Sequence, residues 1–287
     1  MPEQIREPSL PARIEETAAA AAGGSLYVIG GFNAGGASLA SVYVFDGATW
    51  HSGPRLPIAV DHSSAATLNG QLFVAGGHSF GADGRRLFRL DGDHWTELAS
   101  MHYARGGHAL LAAQGRLYAV GGNTAAGNVG PVEAYDPTAN AWTVVTMLPD
   151  PRNHVLGFVM GSSVCVAGGR SPTTSRVDCF DTAHNAWARL AALPQATSGG
   201  GAAAFPDGSV LAMGGQDAAE TAIVNVLTRY MGSTWSAPEA MLVPRHGFEL
   251  ALFDGRAWAC GGGTAPGLHP TDVCTSVGAP PGPPRGK

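Results

Sequence analysis

Histidines and an acidic residue recur at nearly one spacing along this chain. Glu16, His62 and His154 each stand 14 residues before the first glycine of a Gly-Gly pair, whereas His108 stands 13 and His246 stands 15 residues before theirs. Imidazole and carboxylate groups serve as general acids and bases and as metal ligands. We therefore predict one shared site that binds an anion when the histidines are protonated, or Zn²⁺ or Fe²⁺ when they are neutral. The predicted metal ligands are His62, His108, His154 and Glu16.

Two further polar sets flank these positions. The arginines that precede them are Arg13, Arg105, Arg152 and Arg245. The polar residues that follow the Gly-Gly pairs are Asn33, His78, Asn123, Arg170, Gln216 and Thr264. Because guanidinium groups bind carboxylates through two parallel hydrogen bonds, we predict that both sets contribute to a ligand site. The alternative is that duplicated units inherited the same residues, and that the histidines only hydrogen-bond neighbouring backbone.

The Gly-Gly pairs define an internal repeat of about 46 residues. Their first glycines are Gly30, Gly76, Gly121, Gly168, Gly214 and Gly261. Each pair closes an apolar run such as LYVIGG, and a turn such as Asn69-Gly70 precedes that run. A third strand then ends in a large residue such as Phe45, and a fourth begins with a tryptophan such as Trp50. The pattern predicts four strands per repeat.

This arrangement of a Gly-Gly pair, an aromatic residue and a tryptophan resembles the kelch-repeat family over residues 1–278. The resemblance implies an all-β fold, a six-bladed kelch-type β-propeller with four antiparallel strands per blade. It also implies that the loop before the innermost strand and the loop after the Gly-Gly pair meet at the mouth of the central channel. The candidate residues above fall in those two loops, so the predicted site lies at the mouth.

The two ends of the chain predict how the ring closes. The sixth Gly-Gly pair has no tryptophan after it, so the last blade lacks its outer strand. Gln4 stands six residues before Leu10, the interval that separates Trp50 from Leu56. We therefore expect the N-terminal strand to complete the last blade, within a propeller of residues 1–278. Residues 279–287 are rich in proline and glycine and predict a disordered tail.

The four cysteines form two pairs with the same separation. Cys165 and Cys179 are 14 residues apart, as are Cys260 and Cys274, and both pairs span the same strand-loop-strand connection. Two cross-strand disulfides are one interpretation, which would place the protein in an oxidising compartment as an exported chain. Four reduced, buried thiols in a cytoplasmic protein are the other. The sequence as given contains no signal peptide pattern.

Composition narrows the classes of partner. The formal net charge is -5, charged residues make up 14% of the chain, and no basic stripe occurs, which argues against a nucleic-acid partner. No apolar run reaches the length of a membrane span, so we expect no membrane partner. We also expect a monomer. Lys287 is the only lysine, and the preference for arginine favours a bacterial source.

Two functions of different classes remain open. The first is a kelch-repeat binding module that recognises a protein, a peptide, or a small acidic or glycan ligand at the channel mouth. The alternative is an enzyme, a lyase, isomerase or sugar mutarotase, that uses the His/Glu cluster with or without a metal. The overall organisation also resembles that of sialic acid mutarotases, although none of their catalytic residues can be matched in this sequence.

Overall fold

The computed structural model describes residues 3–79 and 84–279. Its strands form six antiparallel sheets and it has no helix within those ranges, which confirms the six-bladed propeller. In the same ranges, no helix has the length and hydropathy of a membrane span. Most of the predicted tail, residues 280–287, lies outside the described residues.

Blades one to three run from the channel outwards in chain order. Blade one contains β2 (Ala18–Ala22), β3 (Ser25–Ile29), β4 (Val42–Phe45) and β5 (Trp50–Ser52). Blade two contains β6 (Ser64–Leu68), β7 (Gln71–Ala75), β8 (Leu87–Asp91) and β9 (His94–Leu98). Blade three contains β10 (Gly106–Ala113), β11 (Arg116–Thr124), β13 (Pro131–Asp136) and β14 (Ala141–Met147), with the short β12 (Gly127–Asn128) paired to β11.

Blades four to six repeat this order. Blade four contains β15 (Leu156–Met160), β16 (Ser163–Ala167), β17 (Val177–Asp181) and β18 (Ala186–Arg189). Blade five contains β19 (Gly201–Ala204), β20 (Val210–Met213), β21 (Val226–Tyr230) and β22 (Glu239–Ala240). Blade six contains β23 (Leu250–Phe253), β24 (Arg256–Cys260), β25 (Cys274–Gly278) and the N-terminal strand β1 (Gln4–Glu7).

The N-terminal strand closes the ring as the sequence predicted. Gln4 pairs with Val277 and Glu7 with Cys274, so β1 covers the outer edge of β25. The Gln4 side chain also accepts from the N–H of Leu242 and donates to the carbonyl oxygen of Ala240 in blade five. With β1 as its outer strand, blade six has four strands like the other blades, and the edge of β25 is covered.

Neighbouring blades are joined by the repeated aromatic residues. Tyr135 and Trp142 of blade three have ring centroids 5.2 Å apart, and the Trp142 indole N–H donates to the carbonyl oxygen of Ala99, after blade two. The glycine pairs allow the backbones to approach closely: a Cβ on Gly31 (φ +91°) would lie 2.4 Å from the carbonyl oxygen of Glu15. The Gly-Gly pairs are therefore requirements of the fold.

Both cysteine pairs form disulfides in the structure. Cys165 lies directly opposite Cys179 on β16 and β17, and Cys260 lies directly opposite Cys274 on β24 and β25. Each disulfide joins the second and third strands of its blade. The equal separation of 14 residues follows from this shared position in the repeat.

Candidate ligand site at the channel mouth

A closed ring of six backbone hydrogen bonds encircles the mouth of the channel. In it, one residue from each blade donates its N–H to the carbonyl oxygen of the preceding blade's residue, over N···O distances of 2.6 to 3.1 Å. The members of the ring are Glu16, His62, Gly107, His154, Gly199 and Gly247. All six have positive φ angles between 50° and 68°. Such angles suit glycine and strain other residues, so the side chains of the three non-glycine members are held at a backbone cost.

These three side chains form one cluster, which we name the mouth triad: Glu16, His62 and His154. One nitrogen or oxygen atom from each lies within 4.8 Å of the other two. The imidazole ring centroids of His62 and His154 are 4.8 Å apart in an edge-to-face arrangement. A cavity of about 50 Å³ lies beside the triad in the channel. The structure thus brings together three of the predicted residues, from blades one, two and four.

Two carboxylates hold the imidazole of His62. Its Nδ1 lies 2.6 Å from Asp61 Oδ1, and its Nε2 lies 3.4 Å from Glu16 Oε2. Burial alone would lower the pKa of His62, but the charges of Glu16 and Asp61 outweigh burial and raise that pKa above its ordinary value. His62 is therefore the triad member that most readily carries a positive charge.

Glu16 lies between two histidines. Its second carboxylate oxygen is 3.5 Å from Nδ1 of His246, whose Nε2 donates to the carbonyl oxygen of Ala265 at 3.1 Å. Although burial opposes ionisation, His62 and His246 hold the pKa of Glu16 well below its usual range. The carboxylate in turn raises the pKa of His246 above its ordinary value, against the effect of burial. His246 is thus a neighbour of the triad that favours the ionised form of Glu16.

His154 is the neutral member of the triad. Its Nδ1–H donates to Asn153 Oδ1 at 2.5 Å, and its Nε2 accepts from an N–H of Arg170 at 3.0 Å. Arg170 also donates to Asn153 and pairs with Glu220. Burial lowers the pKa of His154 well below its ordinary range, and attraction to Glu16 offsets only part of this. Two adjacent histidines therefore differ in the direction of their pKa shifts.

Not all six predicted residues after the Gly-Gly pairs lie around the ring. Four of them form a polar collar around the ring, each opposite the residue that precedes a ring member: His78, Asn123, Arg170 and Gln216. The ring centroid of His78 is 5.2 Å from that of His62, and burial together with the charge of His62 lowers the pKa of His78. Asn33 lies outside the collar, because its side chain accepts from the N–H groups of Gly35 and Ala37 within its own loop.

The structure places the buried arginines inside their blades. Arg105 donates to the carbonyl oxygen of Gly121 and pairs with the buried Glu133 at 2.8 Å. Arg152 and Arg245 make corresponding bonds to the carbonyl oxygens of Gly168 and Gly261. All three residues are at most 1% exposed. Because these guanidinium groups are buried and bonded within their blades, we assign them to blade stabilisation and not to the predicted ligand site.

Two other predicted site residues are shifted by one position relative to their equivalents in other blades. Arg13 is exposed, and Ile14 takes the position that the buried arginines occupy in other blades. His108 follows the ring member Gly107, and its ring packs on Gly76 of blade two, with neither nitrogen hydrogen-bonded. Burial lowers the pKa of His108 well below its ordinary range. The expected metal ligand set therefore contracts to the mouth triad.

The triad has a chemistry suited to a divalent transition metal. Both histidines hold Nδ1 against an oxygen of the preceding residue, Asp61 or Asn153, which leaves Nε2 of His62 facing Glu16 and Nε2 of His154 facing Arg170. Such outer hydrogen bonds orient the imidazole rings that ligate Zn²⁺ or Fe²⁺ in proteins. The His/His/carboxylate set also matches the donor types of open, three-ligand metal sites. Arg170 would have to leave the lone pair of His154 for an ion to bind.

Sequence reasoning missed the residues that orient the histidines. Asp61 and Asn153 directly precede ring members, and the equivalent position in blade six is His246. The sequence did contain a signal for the ring positions, and therefore for the residues that precede them. A strict count of 14 residues before each Gly-Gly pair gives Gly107 and Gly247, not His108 and His246. The count fails in blade five, where Gly199 stands 15 residues before its pair.

Six four-stranded blades, each with a Gly-Gly pair within or directly after its second strand, define a kelch-type propeller. The family model described as the KLHDC2/KLHL20/DRC7 Kelch-repeats domain matches residues 3–169. The chain therefore belongs to the kelch-repeat family. A solved structure titled "Structure of YjhT" superimposes with a TM-score of 0.82 over 96% of this chain and 97% of that one, at 15% identity. At this identity the likeness shows the fold alone.

The chain is also similar to parts of larger kelch proteins. It is 33% identical over 103 residues to Kelch-like protein 35 of Mus musculus, covering 35% of the chain and 18% of that protein. It is 31% identical over 109 residues to Alpha-scruin of Limulus polyphemus, covering 35% and 12%. It is 34% identical over 110 residues to human Kelch repeat and BTB domain-containing protein 13, covering 38% and 24%. The matched segments thus span less than a quarter of these relatives.

Proposed function

We propose that this chain is a recognition propeller whose ligand site is the mouth triad and its collar. The observation that carries the proposal is the hydrogen-bonded ring. Three of its six positions are glycine, which adopts a positive φ freely, and three bear Glu16, His62 and His154 at the same backbone angle. Because strained backbone clusters at functional sites and these three positions meet at one point, we expect the ligand at the triad.

The surrounding groups favour an oxygen-rich ligand. His62, whose pKa is raised, and the guanidinium of Arg170 contribute N–H groups, and the collar adds the amides of Asn123 and Gln216. The cavity of about 50 Å³ admits a single small group. We infer that a carboxylate or hydroxyl enters beside the triad, while the rest of an acidic peptide, small acid or glycan lies on the collar.

The test is a thermal-shift screen against acidic peptides, sugar acids and neutral sugars. Wild type and two variants are compared: His62→Gln, which removes the imidazole of the triad, and His94→Gln, which changes an exposed histidine on β9. Compounds that raise the melting temperature of wild type are expected to raise that of His94→Gln equally and to leave His62→Gln unchanged. A full shift in His62→Gln would place the ligand elsewhere.

A second candidate function is acid-base catalysis on a small sugar or organic acid. The observation that favours it is the opposite direction of the pKa shifts in two adjacent histidines: His62 is raised and His154 is lowered. Such pairs provide an acid and a base at one pH. A lyase, isomerase or mutarotase reaction would then use His62 as acid and His154 as base. Turnover of a screen ligand, lost in His154→Gln, is the supporting result; binding without turnover supports recognition alone.

We further propose that the triad can bind a divalent metal as an alternative to a free anion. Elemental analysis after equilibration with Zn²⁺ and buffer exchange tests this, with Glu16→Gln as the variant. One zinc per chain in wild type, and none in Glu16→Gln, is expected. Equal zinc in both proteins would remove the triad as the metal site.

The two disulfides support an oxidising compartment as the place where the protein works. We infer an exported protein. Four cysteines that alkylate freely without reductant would contradict this inference.

A further inference from the structure

A carboxyl group lies in the central channel beneath the ring and takes no part in the triad. Glu249 directly precedes β23 of blade six. It lines both the mouth cavity and a second cavity of about 80 Å³ deeper in the channel. The deeper cavity is otherwise lined by small and apolar residues, such as Ala19, Ala65, Ala109 and Gly157. Glu249 therefore stands at the boundary between the site and the channel.

The carboxylate joins the innermost strands of three blades. It accepts the N–H of Ala19 in blade one at 2.8 Å, the N–H of Ala65 in blade two at 3.2 Å, and the hydroxyl of Ser64. Ser64 in turn accepts the N–H of Leu110 in blade three at 2.8 Å. The channel-side edge of an innermost strand has no partner strand, so these N–H groups need an acceptor. Glu249 supplies it from across the channel.

The bonded residues follow ring members closely in sequence. Ser64 and Ala65 come two and three residues after His62, and Ala19 comes three residues after Glu16. We propose that Glu249 is a positioning residue for the mouth triad: it ties blades six, one and two together beneath the ring and so fixes the separation of Glu16 and His62. This inference rests on the proposed function of the triad as the ligand site.

The tie depends on pH in the neutral range. Burial raises the pKa of Glu249 to about 7, and the bonds from Ser64, Ala19 and Ala65 offset only part of this. The titratable residues that line the mouth cavity above it are Glu16, His62, His108 and His154. The deeper cavity has no other titratable residue among its lining residues. Because the folded pKa is above that of an unfolded glutamate, this group makes stability fall as pH rises from about 4.5 to 7 and level off beyond.

The experiment compares wild type with Glu249→Gln, and uses Glu97→Gln at an exposed glutamate as the matched control. Histidine ring nitrogens are followed by two-bond ¹H–¹⁵N spectra, and melting temperatures are recorded from pH 5 to 8. In Glu249→Gln we expect displaced ring signals of His62 and unchanged signals of the exposed His94. We also expect the melting temperature to decrease less between pH 5 and pH 7 than it does in wild type. Glu97→Gln should match wild type in both measurements.

Ring signals of His62 that superimpose on those of wild type would overturn the proposal. Should Glu249→Gln fail to fold, Glu249→Asp keeps the charge but withdraws the carboxylate by one methylene. It is expected to displace the same His62 signals, and coincident signals would again contradict the positioning role. No ligand is needed, so displaced signals in a protein that binds nothing at its mouth would reject the proposed function and leave the positioning role standing.

Discussion

Glu16 and His62 are joined twice, once through the backbone and once through their side chains. The N–H of His62 donates to the carbonyl oxygen of Glu16 at 3.1 Å, and Nε2 of the same histidine lies 3.4 Å from the Glu16 carboxylate. The first contact belongs to the ring that every blade joins. The second exists only where two adjacent ring positions carry side chains. A repeated architecture thus produces one asymmetric site.

The protonation of His62 should depend on its neighbour. Glu16→Gln removes the largest charge that raises the pKa of His62, so that pKa is expected to fall. In wild type the pairing stabilises the folded protein below the ordinary histidine pKa of about 6.5, and this stabilisation is lost as pH rises through the higher folded value. An NMR titration of the His62 ring measures the pKa directly. The same midpoint in both proteins would contradict the electrostatic assignment.

Removal of the N-terminal strand should destabilise the whole ring. Deleting residues 1–8 removes β1 and its four paired positions on β25, together with the bonds of Gln4 to blade five. We expect the melting temperature to fall by on the order of 10 °C, as for a loss of several kcal/mol in a chain of this size. Differential scanning calorimetry measures it. An unchanged transition would show that the ring does not depend on this closure.

The cysteines should be oxidised in the native protein. Intact mass before and after reduction is expected to differ by four hydrogens, two for each disulfide. Replacing Cys165 and Cys179 together by alanine should lower the free energy of unfolding by about 3 kcal/mol, the chain-entropy value for a loop of this length. Four thiols that alkylate freely without reductant would contradict the pairing and favour a cytoplasmic protein.

The buried ion pair of blade three should contribute far more to the free energy of unfolding than an exposed ion pair does. Glu133→Ala leaves the guanidinium of Arg105 without its carboxylate in the interior, which costs about 3–5 kcal/mol. Glu97→Ala breaks an exposed pair with Arg86, 3.6 Å apart, and should cost less than about 1 kcal/mol. Urea unfolding of both variants gives the comparison. Similar small losses would show that Arg105 does not stabilise its blade.

The sequence predicts the fold of this protein better than its site. The Gly-Gly pairs, the tryptophans and the unfinished sixth repeat predict the blades and their closure, because each is a packing requirement that recurs. The site depends on single residues that break the repeat. His108 resembles His62 and His154 in type, yet a shift of one residue along a strand turns its side chain between the blades. Glu249 bonds across the channel to strands far away in sequence, which no local pattern shows.

The functional role of the mouth triad is tested by the free energy of unfolding of His154→Gly, measured in urea. If the triad side chains are held in the ring for the ligand they bind, removing one of them should cost the fold little. Glycine relieves about 1–3 kcal/mol of strain at φ +50°, which offsets its greater freedom when unfolded and the lost bonds to Asn153 and Arg170. We predict a free energy of unfolding within about 1 kcal/mol of wild type, because glycine already occupies three of the six equivalent ring positions. A loss of more than about 2 kcal/mol, typical of a structural buried residue, would contradict the account.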